Sequence, residues 1–542
     1  MRIFRKIRAG VKPALMLFTQ LLVAQSLLSQ DFGSYSYKMG QTLYYLQNFY
    51  LDTVNMNKVV EQMVVRTISE LDPHSAYIPA KDVQKMNEPL EGNFEGIGIE
   101  FSIIMDTLVV IAPIVGGPSE AVGVASADRI VAVNDTVITG VGLTNERVFS
   151  LLRGPKGTKV RLSVVRKGVN EPLSFEITRD KIPINSLDAV YEALPDVAYI
   201  RLNRFALSSM TEFIDAISNN FKKQRPKGLI LDLRGNSGGY LGTALQITEQ
   251  FLKKGQLIVY TEGAHLPRRD DSSSGMGFFI ETPVVVLIDE GSASASEILA
   301  GALQDWDRAI IIGRRSFGKG LVQSILPLND GSQIRLTVAR YHTPSGRVIQ
   351  TPYTKGDREG YYRDIVDRYA RGEYFSKESI HFLDSLSYTT LVNKRTVYGG
   401  GGVMPDIFVP HDTTGYTLYW SRMVRMGIVS DFMTRYIDKV RAPLSKKYKQ
   451  FDLFNKEYFI PDDVIEELVA YAQTKELPRD EEALLTSMPL IRVQLKALVA
   501  RNLFNSGAYV RIINEWNDPA YNKALEVMGN WEHFHREILG GG

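Results

Sequence analysis

The sequence predicts an α/β protein in which a strand–helix core carries an inserted, smaller α+β module, with a helical segment before it and a helical extension after it. Three observations support this. Strands alternate with helices from about 181 to 350, short strands around one amphipathic helix fill 92–180, and apolar residues recur at helical spacing towards both ends. At 542 residues the chain is too long for one domain. Its 44% hydrophobic and 23% charged residues are those of a soluble globular protein, and a net charge of +2 gives no footing for a nucleic-acid partner. There is no cysteine, so thiol catalysis, cysteine-ligated metals and disulfides are excluded.

In chain order, residues 1–29 combine the basic Met1-Arg-Ile-Phe-Arg-Lys-Ile-Arg8 with the short apolar run Ala14–Ala24 and small residues near Ala24-Gln-Ser26. This reads as an export signal, too short to span a bilayer comfortably, and uncleaved it would leave a membrane tether. A buried amphipathic first helix is the alternative. Residues 30–91 read as helical, with Leu43, Leu46, Tyr50, Val59, Val60, Met63 and Val64 at three- and four-residue spacing, until Pro73 and Pro79 break the pattern. The module over 92–180 opens with Gly96-Ile-Gly-Ile-Glu-Phe101. Strands at 107–112 and 129–133 follow, then a helix over 145–152 and closing strands at 160–166 and 173–178.

The core, 181–412, places strands at 198–202, 228–233, 257–260, 284–288 and 309–312, with helices between them, implying a largely parallel sheet. Asn329-Asp-Gly331 turns a hairpin. The charged and aromatic stretch 352–398 reads as a surface insertion, and Gly399-Gly-Gly-Gly-Val-Met-Pro405 as a flexible hinge. Residues 413–542 form the helical extension.

Ser294 stands where the apolar strand ends and a helix begins, and Lys319 follows the next strand in Phe317-Gly-Lys-Gly320. A hydroxyl at a helix start and a glycine-flanked lysine are what serine–lysine hydrolysis requires. The plain alternatives stand beside this. Ser294-Ala-Ser-Glu297 is also a capping box, and a lysine is most often a solvated surface charge. Small neighbours at Ser292, Ala293, Ala295 and Ser296 leave room for a substrate backbone, and a helix N-terminus offers N–H donors to an oxyanion. Lys319 would act as a base near neutrality only if its pKa fell by about 3 from ~10.4, at a cost of roughly 4 kcal/mol. Gln323 is close enough to hold the amine with a neutral amide, while none of the seven histidines stands in a nucleophile-like context. In Asp232-Leu-Arg-Gly-Asn-Ser-Gly-Gly239, glycines at a strand's carboxyl end free N–H groups for a ligand; a phosphate site is the rival, but no Lys-Ser/Thr pair follows them. Gly96-Ile-Gly-Ile99 is a tight turn, or a nest whose amides capture a peptide's terminal carboxylate beside a free strand edge.

Taken together, Leu71-Asp-Pro-His-Ser75, Gly96-Ile-Gly-Ile99, Leu152-Arg-Gly-Pro-Lys-Gly157, Asp232 to Gly239, Gly291-Ser-Ala-Ser-Ala-Ser-Glu297 and Phe317-Gly-Lys-Gly-Leu-Val-Gln323 resemble, in order, the C-terminal processing peptidases, or tail-specific proteases. The resemblance spans about 35–350 and 399–410. It implies a crotonase-like ββα protease core with an inserted PDZ-like domain. It implies Ser294 as nucleophile, Lys319 as general base and Gln323 as the residue orienting it. The oxyanion hole would come from Ala295 N–H and an N–H of Gly238 or Gly239, and Gly96, Ile97, Gly98 and Ile99 would bind substrate. It implies no cofactor or metal. Partners would be protein substrates with free apolar C-terminal tails, in the periplasm or cell envelope, and a homo-oligomer is compatible with the extension. One departure is Ser126-Ala-Asp128, where the family usually has glycine before the aspartate, so an altered turn is expected there. A non-catalytic peptide-binding scaffold of the same fold is the rival; a crotonase-like acyl-CoA enzyme would leave the PDZ-like module and the lysine unexplained.

Overall fold

The computed structural model describes residues 32–114, 116–221 and 225–540; the export-signal reading of 1–29 lies outside them. The core is a six-stranded sheet in the order Leu187–Leu194, Val197–Leu202, Gly228–Asp232, Val284–Ile288, Ile310–Gly313 and Ile407–Phe408. The first pair is antiparallel and every later pair parallel. Alternation along each strand divides its side chains between two faces. Leu229, Leu231, Val284 and Val286 pack with Leu299 and Leu303 of the helix Ala295–Asp305 and Ile247 of Leu241–Glu249. Ile230, Val285, Leu287 and Ile312 face the other way, onto Tyr521, Ala524 and Val527 of the helix Pro519–Gly529.

That second face corrects the division at 412/413. The extension's earlier helices, such as Ile428–Lys447 and Glu481–Leu503, have a core of their own. Its last helices instead share the sheet's core, and the sheet is unfinished without them.

The carboxyl ends of three adjacent parallel strands, Gly228–Asp232, Val284–Ile288 and Ile310–Gly313, carry the loops 233–239, 289–294 and 314–320. All the chemistry-bearing motifs of the core therefore converge at one edge of the sheet. A second sheet, of Ala76–Ile78, Gln333–His342, Leu257–Gly263, Leu266–Ser272 and Leu321–Pro327, covers that edge. Two of its strands correct the sequence reading. Ala76–Ile78 lies in the segment expected to be helical, and Leu266–Ser272 is charged and exposed, so its alternation gave no signal.

The module has its own core of Leu108, Val110, Ile130, Val148, Leu162 and Ile177. Its antiparallel sheet runs Ile99–Ile104, Thr107–Pro113, Arg129–Val133, Lys159–Val165, Leu173–Thr178, so Ile99–Ile104 is an edge strand. A two-stranded ribbon, Asn93–Gly96 against Asp180–Pro183, leads the chain in and out. At Ser126-Ala-Asp128 the turn takes a conformation that favours glycine. Ala127 takes a left-handed φ of 69°, and buried Asp128 accepts from Ala125 N–H (2.8 Å) and from Arg166 through Nε and Nη2 (2.7 Å each).

The segment 352–398 is also corrected as a surface element. Its helix Arg358–Ala370 buries Tyr361 and Arg368 against the loop 316–320.

Candidate active site

Ser294 ends the turn after the buried strand Val284–Ile288 at φ 54°, ψ −109°. A side-chain residue in that region costs of order 1–3 kcal/mol and persists only where its neighbours over-determine it. Here they do. Ala293 N–H donates to Asn236 O (2.9 Å), Ser292 Oγ to Leu233 O (2.8 Å), and Ser294 N–H to Glu297 Oε2 (2.7 Å). Glu297 thus completes one half of the capping box. Glu297 N–H donates in return to the Ser294 carbonyl (2.9 Å).

Glu297 also gathers the lysine loop. Its two oxygens accept from Ser316 Oγ (2.5 Å), Gly318 N–H (2.7 Å), Lys319 N–H (2.9 Å) and Ser294 N–H. The backbone nitrogens of Ser294 and Lys319 therefore share one carboxylate oxygen, which brings the two loops together. Tyr341 repeats the tie from the second sheet, its hydroxyl lying 3.2 Å from Ser294 O and 2.8 Å from Lys319 O. Burial pushes the Glu297 carboxyl up to about 7, while its four donors pull the other way.

Lys319 Nζ donates to Gln323 Oε1 at 3.0 Å and makes no hydrogen bond to Ser294 Oγ. Gln323 lies on Leu321–Pro327, whose pairing with Gln333–His342 shifts register between Val322 and Gln323, a bulge that re-aims the side chain. Its amide is oriented from behind, Nε2 donating to the His74 carbonyl at 2.5 Å. The turn carrying that carbonyl is held by Asp72, which accepts from His74 N–H and Ser75 N–H (2.8 Å each), Ser75 Oγ (2.5 Å) and Thr337 Oγ1 (3.0 Å). Burial, with Arg335 adding to it, lowers the Lys319 pKa, opposed by the charges of Glu297 and Asp72. Burial and then the Lys319 charge lower His74 to about 4, so its ring is neutral at neutral pH.

Of the two candidate glycines, Gly238 packs against Ser294, for a Cβ there would meet Ser294 Cβ at 2.9 Å and Ala295 N at 3.0 Å. Its N–H is already given to Asn236 Oδ1 (2.9 Å). Gly239 forms a parallel bridge with Phe205, in which its own N–H faces away from Phe205. Neither Gly239 N–H nor Ala295 N–H meets an acceptor among the described residues.

Gly96, Ile97, Gly98 and Ile99 lie in the module and share no hydrogen bond with Ser294 or Lys319. Gly96 ends the entry ribbon, Ile97 is buried with its carbonyl on Ser119, and Gly98 turns at φ 73° into the edge strand. The helix Asn145–Leu152 flanks that strand, with the Phe101 and Phe149 rings edge-on at 5.6 Å.

The structure thus brings Ser294, Ala295, Gly238, Gly239, Lys319 and Gln323 to one sheet edge. Tyr341, Tyr361 and Arg368 carried no signal in the sequence, His74 stood only within the motif Leu71-Asp-Pro-His-Ser75, and Glu297 only as a cap. The capping-box spacing was the one available signal; the others act through carbonyls or from segments far away in the chain.

Residues 196–359 match peptidase family S41, and 419–505 match a family of unknown function. The chain is similar to a carboxy-terminal-processing protease of Bartonella bacilliformis, at 40% identity over 56% of this chain and 69% of that protein. It is also similar to the carboxy-terminal processing protease CtpA of Bacillus subtilis, at 32% identity over 66% and 78% respectively. A solved PDZ domain of a carboxy-terminal protease from Vibrio cholerae, in complex with peptide, is 33% identical and covers 17% of this chain and 97% of its own, at a TM-score of 0.16.

Proposed function

The chain belongs to the carboxy-terminal processing proteases of peptidase family S41, serine proteases acting on C-terminal regions, and from that membership we propose how its own residues divide the work. Ser294 Oγ attacks the peptide carbonyl. Neutral Lys319 Nζ takes the Oγ proton once bound substrate brings the pair within hydrogen-bond reach, and passes it to the departing amine. Water then hydrolyses the ester on Ser294, with Lys319 again as base. Ala295 N–H and Gly239 N–H bind the oxyanion, since Gly238 N–H is occupied by Asn236. The observation that carries this reading is the half-buried Lys319 amine held by a neutral amide carbonyl, on the loop that Glu297 ties to Ser294.

The module over 92–180 is the tail reader. Ile97 and Gly98 amides receive the free carboxylate, the tail adds to the edge strand Ile99–Ile104, and apolar tail residues lie against the helix Asn145–Leu152. The apolar run at 14–24 supports export to the periplasm or envelope, with a membrane tether if it is retained. A homo-oligomer is supported by the helix over 32–49, whose Phe32, Tyr35, Tyr44, Tyr45 and Phe49 are exposed in the single chain.

The test is cleavage of a loosely folded substrate with an apolar tail, free or amidated at its C-terminus. Ser294→Ala removes cleavage by at least about 10⁴-fold while the fold is retained. Amidation raises KM with little change in kcat. Cleavage that persists in purified Ser294→Ala would falsify the nucleophile; equal cleavage of both substrates removes the tail reading. The scaffold alternative has no support from any residue of the site.

A further inference from the structure

The loop Ser316–Lys319 is gripped from two sides. Its donors, Ser316 Oγ and the N–H groups of Gly318 and Lys319, point at the buried Glu297 carboxylate. Its carbonyls are taken from the opposite side by the helix Arg358–Ala370, in the segment that the sequence marked as an insertion. Arg368 Nη1 donates to Ser316 O (2.9 Å) and Nη2 to Phe317 O (3.1 Å) and Thr351 Oγ1 (3.1 Å). The Tyr361 hydroxyl reaches Gly318 O (3.4 Å), meets the neutral His74 ring at Nε2 (3.2 Å) and accepts from Gln350 Nε2 (3.2 Å). Gln350 in turn accepts from Gly320 N–H (2.8 Å). Arg368 is 1% exposed and Tyr361 4%, so both contacts are shielded from water.

Of the three consecutive peptide units ending at Lys319, all three carbonyls thus meet a buried guanidinium or phenol, the last two N–H groups meet the buried Glu297 carboxylate, and the first, Phe317 N–H, donates to Ser292 O (3.0 Å) in the loop before Ser294. Charge-assisted hydrogen bonds of both senses fix where the lysine side chain starts. Tyr361 also touches the residue whose carbonyl orients Gln323, so one hydroxyl joins both supports of the amine. We infer that the helix Arg358–Ala370 is a positioning element for the general base: Arg368 and Tyr361 clamp the carbonyls of Ser316, Phe317 and Gly318 and so hold Lys319 in its dry, amide-bound position. This rests on the Ser294–Lys319 reading above.

The charged and titratable groups facing Lys319 are Glu297, Asp72, Arg335 and His74, none of which the variants below alter. The clamp acts on kcat and on the base's proton affinity rather than on substrate binding. Tyr361→Phe lowers kcat by about 10-fold and Arg368→Gln by about 100-fold, with KM within about twofold. In both, the rising limb of the pH–kcat profile moves to higher pH, because a loosened Lys319 regains water and its pKa climbs towards ~10.4. Arg368→Lys, which keeps the charge, recovers part of the loss. Tyr361→Phe removes a single oxygen and keeps the inference testable if Arg368→Gln does not fold. Wild-type kcat and an unmoved limb in Tyr361→Phe overturn it, as does a lowered Tm with an unmoved limb, which marks a merely structural role. Wild-type enzyme and Ser294→Ala measured alongside separate the cases: cleavage by Ser294→Ala removes the reading beneath, whereas an inactive Ser294→Ala beside an unaffected Tyr361→Phe removes the clamp alone.

Discussion

Glu297 accepts four hydrogen bonds, one from the Ser294 N–H, two from the Gly318 and Lys319 N–H groups and one from the Ser316 hydroxyl, so a single carboxylate ties the two loops together. Glu297→Gln places an NH₂ against an N–H donor while preserving shape. Loss of kcat by about 100-fold is expected from the displaced loops, with roughly 1–3 kcal/mol of stability lost to the unsatisfied donor. Steady-state kinetics with a thermal melt check both. The pH dependence has a defined sign. Lys319 must be neutral to accept a proton, and burial lowers its pKa, so kcat rises with pH through a value below the ordinary lysine range. Glu297, pushed up to about 7, takes up a proton as pH falls and loses an acceptor position, which lowers kcat on the same side. A pH–kcat profile that is flat between about pH 5 and 9 contradicts both assignments.

At the scale of the element, the module's turn at Ala127 shows how a chain keeps a geometry its residue disfavours. The left-handed φ of 69° is imposed by Asp128, which is buried and tied to Ala125 and Arg166, and by Ala127 N–H on Val110 O (2.8 Å). A left-handed alanine costs about 1–2 kcal/mol. Ala127→Gly removes that strain but gives the unfolded chain more freedom, so a net gain of roughly 0.5–1 kcal/mol in chemical denaturation is expected. Tail affinity should stay unchanged, since the turn already has the shape glycine would give it. The missing glycine is therefore a cost in stability and not a defect in the edge strand Ile99–Ile104.

Across the whole molecule, the active-site sheet and the last helices are held together by Arg234. It bonds Asp232 at the end of its strand (Nη2 to Oδ2, 2.6 Å) and Asp518 at the N-cap of Pro519–Gly529 (Nη1 to Oδ2, 2.7 Å). Asp518→Asn keeps a cap and removes the charge, costing roughly 2–4 kcal/mol in a pair whose side chains are 13% and 15% exposed. Asp232 is fully buried. Burial alone would raise its pKa, but Arg234 and Arg201 hold it down to about 2. Because this lies below the unfolded value of ~4, the stabilisation is complete above ~pH 4 and is lost as pH falls from there to about 2, a contribution of roughly 2 kcal/mol. Acid unfolding followed by circular dichroism should begin below ~pH 4 and shift to higher pH in Asp518→Asn, because that variant starts from a lower stability.

Periodicity and motif order were enough to read the alternating core and the module and to single out Ser294, Lys319 and Gln323 as candidates, because each depends on residues close together in the chain: a strand ending in small residues, a glycine-flanked lysine, an amide four positions on. Choosing Gly239 over Gly238 required knowing that Asn236 Oδ1 takes the Gly238 N–H. The parts that hold the base in place were illegible for a different reason. His74 contributes a carbonyl, which any residue has, and Tyr361 and Arg368 sit in a segment whose charge and aromatic content read as surface. Burying an arginine is favourable only where carbonyls converge on it, and that convergence exists only after the loop, the second sheet and the helix Arg358–Ala370 have folded together. Local sequence therefore determined which groups stand as candidates for the chemistry. Tertiary structure alone decided which contacts hold them in place, since those contacts join residues up to 287 positions apart.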